Sequence, residues 1–227
     1  MARGFNGSSD SAVSTFTTAQ KAITTCSIAW WENLTANGQY IRPYHWDTGG
    51  NDWRMEFDDS WGYVFVVGWS TAAGKWSIAK PSTGSYHHIA ITYDGSSTAN
   101  DPVIYLNGVS QTVTERAAPS GTIQLPTGTS YFGSENGSGQ WFNGSLAEFA
   151  IWNTVLSGAT ITALAGGNAP SFYTSGLLWY APLIGSASPE PESIEASNLT
   201  LTGTSQTTHP TITYPSAVNS NFFMFFN

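Results

Sequence analysis

Residues 86–94 read Tyr-His-His-Ile-Ala-Ile-Thr-Tyr-Asp, and residues 102–113 read Pro-Val-Ile-Tyr-Leu-Asn-Gly-Val-Ser-Gln-Thr-Val. In the first segment, every second side chain lies on the same face of a β-strand: His87, Ile89, Ile91 and Tyr93. In the second segment, Asn107-Gly108 separates two strand-like halves. Both residues tolerate the positive φ of a type I′ turn, so this pair predicts a tight β-hairpin.

The same period-two alternation recurs along the chain in short runs bounded by Gly, Asn, Asp or Pro. It predicts further strands near 3–7, 12–16, 24–31, 38–46, 53–58, 62–68, 74–79, 129–133, 142–153, 177–183 and 197–202. A short helix is predicted over 157–165, capped by Ser157 and ended by Gly166-Gly167. Short, evenly spaced strands are typical of an all-β fold, here a two-sheet antiparallel β-sandwich with one short helix.

The composition limits the kinds of partner and compartment that are expected. The chain has 227 residues, of which only 10% are charged, and its formal net charge is −8. Because its seven Lys and Arg residues are scattered along the sequence, nucleic acid is not an expected partner. No apolar stretch is long enough for a membrane span. The N-terminal residues lack the apolar run of a secretory signal, and the single cysteine, Cys26, gives no sign of an oxidising compartment.

The chain ends in an apolar run, Phe222, Phe223, Met224, Phe225 and Phe226, after a polar stretch. We therefore predict one sandwich domain over 1–215 and a C-terminal apolar docking tail over 216–227. Aromatic and apolar anchors contribute most of the affinity of protein interfaces, so the run predicts docking onto another protein or another copy. Folding back over its own domain is the alternative.

Five tryptophans and five acidic residues lie between residues 44 and 76. An indole can stack on the apolar face of a sugar while carboxylates bind its hydroxyl groups, and the same carboxylates are ligands that Ca²⁺ accepts. The predicted ligand site consists of Trp46, Asp47, Asp52 and Trp53, which flank a Gly-rich loop signal. The competing interpretation is that most of these tryptophans fill the core between the sheets. No cofactor is otherwise expected.

Several segments together resemble the laminin-G-like, or concanavalin A-like, superfamily of lectins and glucanases. They are Phe5–Asp10, His88–Asp94 with Ile104–Gly108, Phe142–Ser157 and Leu178–Leu183. The resemblance implies two curved antiparallel sheets in a jelly roll and, in many members, binding of glycans or proteins. Ala147 stands where many relatives carry an Asp before the Glu, and this departure weakens the case for a structural calcium ion.

The resemblance also requires a test for catalysis. Retaining glucanases of this superfamily carry Glu-x-Asp-x-(x)-Glu on one strand, because the mechanism needs two carboxyl groups about 5 Å apart. Here Glu56 and Asp58 share a face, but Ser60 or Trp61 takes the place of the second Glu. His87 and His88 are adjacent and point to opposite faces of a strand, so they do not chelate one zinc ion. A non-catalytic role is predicted, with a glucanase relative as the remote alternative.

Such free-standing domains are similar to accessory proteins of tailed bacteriophages. The sequence-based prediction is a virion decoration protein, made in the host cytoplasm and displayed on the virion surface, with capsid or tail proteins, or itself, as partners and glycans as a further ligand. The alternative is an extracellular bacterial carbohydrate-binding module.

Overall fold

The computed structural model describes residues 1–35, 38, 41–185, 188–195 and 197–216. These residues form sixteen strands in two sheets, and all strand pairings are antiparallel. Sheet A contains β1 (Ala2–Asn6), β3 (Thr25–Leu34), β8 (Tyr86–Asp94), β9 (Val103–Leu106), β10 (Val109–Ser110), β13 (Asn143–Trp152), β14 (Leu177–Ala181) and β16 (Ser205–Thr207). Sheet B contains β2 (Ser11–Thr15), β4 (Tyr44–Trp46), β5 (Trp53–Asp58), β6 (Gly62–Val67), β7 (Gly74–Ile78), β11 (Thr114–Ala117), β12 (Thr129–Phe132) and β15 (Thr200–Thr202).

The order of strands interleaves distant parts of the chain. Sheet A runs β10-β9-β8-β3-β13-β1-β16, with β14 also paired to β13, and sheet B runs β11-β7-β6-β5-β4-β12-β2-β15. The predicted hairpin joins β9 and β10, and its turn residues Asn107 and Gly108 have φ values of 52° and 79°. The predicted all-β, two-sheet antiparallel sandwich with one helix is confirmed.

Large aromatic side chains fill the space between the two sheets. Among the fully buried ones are Trp30, Trp46, Trp53, Trp76 and Trp179. Phe132 of sheet B stacks on Trp179 of sheet A, with 5.1 Å between ring centroids and 7° between ring planes. Such stacked pairs contribute about 1 kcal/mol beyond the area that they bury, so this pair stabilises the contact between the two sheets.

Helix α1 (Gly158–Ala165) covers the outer face of sheet A. Its N-cap is Ser157, whose hydroxyl accepts a hydrogen bond from the Thr160 amide at 3.1 Å, as the sequence predicts. Ala29, Ala90 and Ala150 lie side by side on β3, β8 and β13, and these small side chains let the helix approach. The helix buries Ile161 and Leu164 in this second apolar cluster.

The segment that follows β16 is held against sheet A by contacts with Glu148. The carboxylate of Glu148, on β13, accepts hydrogen bonds of 2.6 Å from the hydroxyl groups of both Tyr180 and Tyr214. His209 Nε2 lies 3.2 Å from the same carboxylate, which is almost completely buried. Glu148 therefore links sheet A to the segment that follows β16, residues 208–216.

Some predicted boundaries differ from the structure for local reasons. In the predicted strand 38–46, β4 covers only Tyr44–Trp46, and β15 begins at Thr200 and not at 197. The edge strand β11 was not predicted, because its residues Thr-Glu-Arg-Ala are mostly exposed and lack apolar alternation. Of the docking tail predicted over 216–227, residues 217–227, which include Phe222–Phe226, lie outside the described residues. Within the described ranges, no helix is long and apolar enough to cross a membrane.

Candidate functional site

The outer face of sheet B carries a polar pocket that strand β5 helps to form. Along this strand, Trp53, Met55 and Phe57 point into the core, and the side chains between them point outward because strand residues alternate. The pocket has a volume of about 460 Å³. It is lined by Arg42, Arg54, Glu56, Asp58, Ser60, Trp61, Lys75 and Gln140.

Trp61 is the exposed aromatic side chain of the pocket. It lies in the turn between β5 and β6, and 37% of its surface is exposed, whereas Trp46, Trp53, Trp69 and Trp76 are all buried. The next residue, Gly62, has φ +101°, and a Cβ there would lie 2.3 Å from the carbonyl oxygen of Ile78. Only glycine fits at that position, so the tight turn that presents the indole depends on it.

The Asp58 carboxylate shapes the same turn. It accepts hydrogen bonds of 2.8 Å from the backbone amides of Ser60 and of Trp61. This is the local side-chain-to-backbone bonding that makes Asp a frequent turn residue. Asp58 therefore helps to orient the indole while it keeps carboxylate oxygen at the pocket wall.

A network of ion-paired side chains forms part of the wall of the pocket. Arg54 Nε donates to Glu56 at 2.7 Å, and Arg42 Nη2 lies 3.2 Å from the same carboxylate. Arg42 Nη1 also lies 2.6 Å from Glu135. Two guanidinium groups thus face two carboxylates, and both Arg42 and Glu56 are largely buried. Buried charges persist in a fold when they are paired in this way.

Two further cations border the pocket without a carboxylate partner among the described residues. The Lys75 ammonium group lies 5.7 Å from the centroid of the Trp61 ring, within the range of a cation–π contact. Arg116 donates to the hydroxyl group of Ser77 at 2.8 Å and, at 3.4 Å, to the carbonyl oxygen of Trp61. The aromatic platform is therefore flanked by positive charge.

The predicted ligand residues Trp46 and Trp53 lie in the core instead of at the surface. Both are 0% exposed, their rings lie 6.2 Å apart, and the Trp53 Nε1 group donates to the carbonyl oxygen of Gln124 at 2.6 Å. A ring with no exposed face offers a sugar nothing to stack on, so in this structure neither residue has the role that we predicted for it. The competing interpretation, that most tryptophans of this stretch fill the core, describes them correctly.

Asp47 and Asp52 remain near the surface, where they organise the turn between β4 and β5. Asp47 accepts from the Gly49 amide at 2.7 Å, and Asp52 accepts from the Thr48 amide at 3.1 Å and pairs with His45 at 2.9 Å. Burial acts to raise the pKa of Asp52, but the hydrogen bonds from His45 and Thr48 outweigh it, and the pKa lies below its usual value. A ligand role for these two carboxylates stays a prediction.

The residues tested for catalysis or metal binding have other contacts. Glu56 and Asp58 share a face of their strand, as predicted, and both line the pocket. Guanidinium groups pair with Glu56, and backbone amides donate to Asp58. Burial lowers the pKa of His88 to about 3, while the adjacent His87 contacts Ser82 and Asn107 near the surface. In the part of the chain that the structure describes, no three His, Cys, Asp or Glu side chains group to hold a metal ion.

Our sequence interpretation missed Trp61 although the sequence contained a signal for it. Trp53 is in phase with Met55 and Phe57, which predicts that all three share the buried face. Trp61 instead follows Asp58-Asp59-Ser60 and precedes Gly62, a turn composition that places the indole in a loop. Loops carry binding residues more often than strands do.

The fold has counterparts among solved structures. A protein of Bacteroides ovatus ATCC 8483, described as a "putative carbohydrate binding protein", superposes with a TM-score of 0.68 at 17% identity over 94% of this chain, which spans 62% of that protein. The heptameric SAP-like pentraxin of Limulus polyphemus gives a TM-score of 0.53 at 12% identity, over 72% of this chain and 81% of the pentraxin. A Trypanosoma rangeli sialidase gives 0.53 at 13% identity, over 73% and 27% of the two chains. At these identities the likeness is one of fold.

The sequence itself matches a protein family. No curated protein sequence matches the chain significantly. The family model described as the concanavalin A-like lectin/glucanases superfamily, laminin-G type, matches residues 6–162. That range covers more than half of the chain and includes every residue that lines the pocket. The chain therefore belongs to the concanavalin A-like lectin/glucanase superfamily.

Proposed function

We propose that this protein binds carbohydrate, without catalysis, in the pocket on the outer face of sheet B. The observation that carries the proposal is the exposed indole of Trp61, set among polar and charged side chains in a pocket of about 460 Å³. Sugars present both apolar C–H faces and hydroxyl groups. An aromatic platform with nearby hydrogen-bonding groups complements both.

The rigidity of the site supports this role. The side chains of Arg54 and Glu56 lie on a strand and pair with each other, Glu56 also pairs with Arg42, and Arg42 pairs in turn with Glu135. A site whose side chains are already ordered loses less conformational entropy when a ligand binds. The similarity of fold to a protein described as carbohydrate binding agrees with the proposal.

The absence of catalysis in the proposal rests on how the carboxyl groups are used. A retaining glycosidase needs one carboxyl group as the nucleophile and another as the proton donor. Glu56 is engaged by two guanidinium groups, and Asp58 is engaged by two backbone amides. Both carboxyl groups are therefore occupied by contacts within the protein, so we expect binding without hydrolysis.

A glycan array with the full-length chain tests the proposal. We expect the wild-type protein to bind at least one class of saccharide and Trp61→Ala to lose that binding with an unchanged fold. Phe172→Ala is the matched control, since Phe172 is also an exposed aromatic residue, 42% exposed, but lies outside the pocket. Equal binding by the wild type and Trp61→Ala would contradict the site. Hydrolysis of a bound β-glucan that Glu56→Gln abolishes would restore the glucanase alternative.

Display on a bacteriophage virion stays a prediction, and the apolar run Phe222–Phe226 is the feature that motivates it. We propose that this run anchors the domain to capsid or tail proteins or to other copies. Electron microscopy of particles from the native source tests the location. Particle attachment or oligomerisation that persists after deletion of residues 222–227 would contradict the anchor. A location off the particle would favour the extracellular carbohydrate-binding module.

A further inference from the structure

We infer that the saccharide bound in this pocket carries a negative charge, as a carboxylate or a sulfate group. This inference rests on the proposed function, because it names the class of ligand for the same site. Four of the seven Lys and Arg residues of a chain with net charge −8 converge on the outer face of sheet B. They are Arg42, Arg54, Lys75 and Arg116.

The internal ion pairs use only part of this positive charge. Arg42 and Arg54 are balanced by Glu56 and Glu135, at distances between 2.6 and 3.2 Å. Lys75 and Arg116 form no ion pair among the described residues. These two cations lie next to Trp61, where the proposed ligand would contact the protein: Lys75 is near the indole ring, and Arg116 donates to the carbonyl oxygen.

Asp58 is the one acid of the pocket lining that pairs with no cation of the described residues. Its negative charge is stabilised by the amides of Ser60 and Trp61, each at 2.8 Å. With Asp58 set against Lys75 and Arg116, the sum on the open side of the pocket is one positive charge. An anionic group on the ligand would compensate that charge, whereas a neutral sugar would leave it unpaired.

The expected preference for an anionic ligand can be given a size and should depend on the salt concentration. An exposed ion pair contributes up to about 1 kcal/mol, which corresponds to about a fivefold change in Kd. Because such a pair is screened by mobile ions, the preference for the anionic ligand falls as salt is added. The contribution of stacking on Trp61 is apolar and does not fall in this way.

The test compares saccharides that share a skeleton and differ in charge. Oligogalacturonates are compared with their methyl esters for carboxylate, and carrageenan oligosaccharides with the same oligosaccharides after desulfation for sulfate. Kd is measured by calorimetry with the full-length chain at low and at moderate salt. We expect the anionic member of at least one pair to bind about fivefold more tightly at low salt.

Charge variants of matched size assign the preference to the pocket. Lys75→Gln should bring the Kd values within the pair close together, and Asp58→Asn, which keeps an oxygen acceptor for the turn amides, should widen the preference. Lys21→Gln is the control, since it removes the same charge outside the pocket lining. Thermal unfolding of each variant checks that its fold is intact.

The outcomes separate this inference from the proposed function. Equal binding of charged and neutral partners, with loss of both in Trp61→Ala, overturns the charge preference and leaves carbohydrate binding standing. If the wild type binds no saccharide in these pairs or on the array, both proposals fall. A preference that Lys21→Gln reduces as much as Lys75→Gln overturns the assignment to the pocket. If poly-glutamate binds equally tightly, the pocket recognises negative charge alone, and the assignment of the ligand as a saccharide is wrong.

Discussion

The hydroxyl group of Tyr63, in sheet B, donates a 2.7 Å hydrogen bond to the carboxyl group of Glu32, in sheet A. The indole Nε1 of Trp30 donates to the same carboxyl oxygen at 2.8 Å. Glu32 is 0% exposed, and its other carboxyl oxygen has no hydrogen-bond partner among the described residues. Burial raises the pKa of Glu32 to about 7, although the two hydrogen bonds act to lower it.

The first prediction concerns the pH dependence of stability. In the folded protein Glu32 keeps its proton up to about pH 7, whereas its ordinary pKa is 4.5, so between these values the folded state binds more protons. Its stabilising contribution is therefore complete below pH 4.5 and is lost as the pH rises to about 7. At about 1.4 kcal/mol for each pH unit, the loss is on the order of 3 kcal/mol.

Urea unfolding at pH 5 and at pH 8 measures this effect. Glu32→Gln keeps the shape and the acceptor oxygen but carries no charge, so we expect its free energy of unfolding to fall less between these pH values. Glu115→Gln, at an exposed position, is the control. An equal fall in the wild type and in Glu32→Gln would show that another group is responsible.

The second prediction contrasts two tryptophans that are eight positions apart in the sequence. Trp53→Ala removes a fully buried ring and should lower the free energy of unfolding by about 3–5 kcal/mol. Trp61→Ala removes a partly exposed ring and should cost less than about 1 kcal/mol, while it abolishes saccharide binding. Denaturant unfolding together with the glycan array measures both effects, and a large stability loss in Trp61→Ala would argue for a structural role.

The third prediction concerns the turn that presents Trp61. Gly62→Ala places a methyl group against the Ile78 carbonyl oxygen at a positive φ, so we expect a loss of about 1–3 kcal/mol and weaker saccharide binding. Gly84→Ala is a useful control, because φ there is +83° but nothing lies within 4 Å of the added carbon. Similar behaviour of the two variants would remove the steric argument.

The fourth prediction concerns the hydrogen bond from Tyr214 to Glu148. Tyr214→Phe removes a 2.6 Å hydrogen bond to a buried carboxylate and should lower the free energy of unfolding by about 2 kcal/mol. Limited proteolysis should then cut the C-terminal segment sooner. Tyr105→Phe is the control, because its hydroxyl group makes no hydrogen bond among the described residues. Unchanged proteolysis in Tyr214→Phe would contradict the linking role of Glu148.

Local patterns predicted the parts of the fold that depend on neighbouring residues. Asn107-Gly108 identified its hairpin and Ser157 identified the start of its helix, since both act within a few positions along the chain. The phase of Trp53 with Met55 and Phe57 carried the information that places the indole in the core.

Contacts between distant residues could not be read from local patterns. Glu32 and Tyr63 are 31 positions apart, and Glu148 and Tyr214 are 66 apart. Each carboxylate lies on a strand in which a charged residue reads as a surface position. The pocket was missed for the same reason, since its cations come from three separate parts of the chain.

The row of alanines under helix α1 has a consequence for avidity. With Ala29, Ala90 and Ala150 covered by the helix, this part of the outer face of sheet A is not available to a second ligand. If each copy engages one saccharide through a shallow, solvent-open pocket, durable attachment to a glycan-coated surface requires many copies held side by side. When one copy in an array is bound, the saccharide is at a high effective concentration for the neighbouring copies. The avidity of the array can therefore exceed the affinity of one copy by several orders of magnitude.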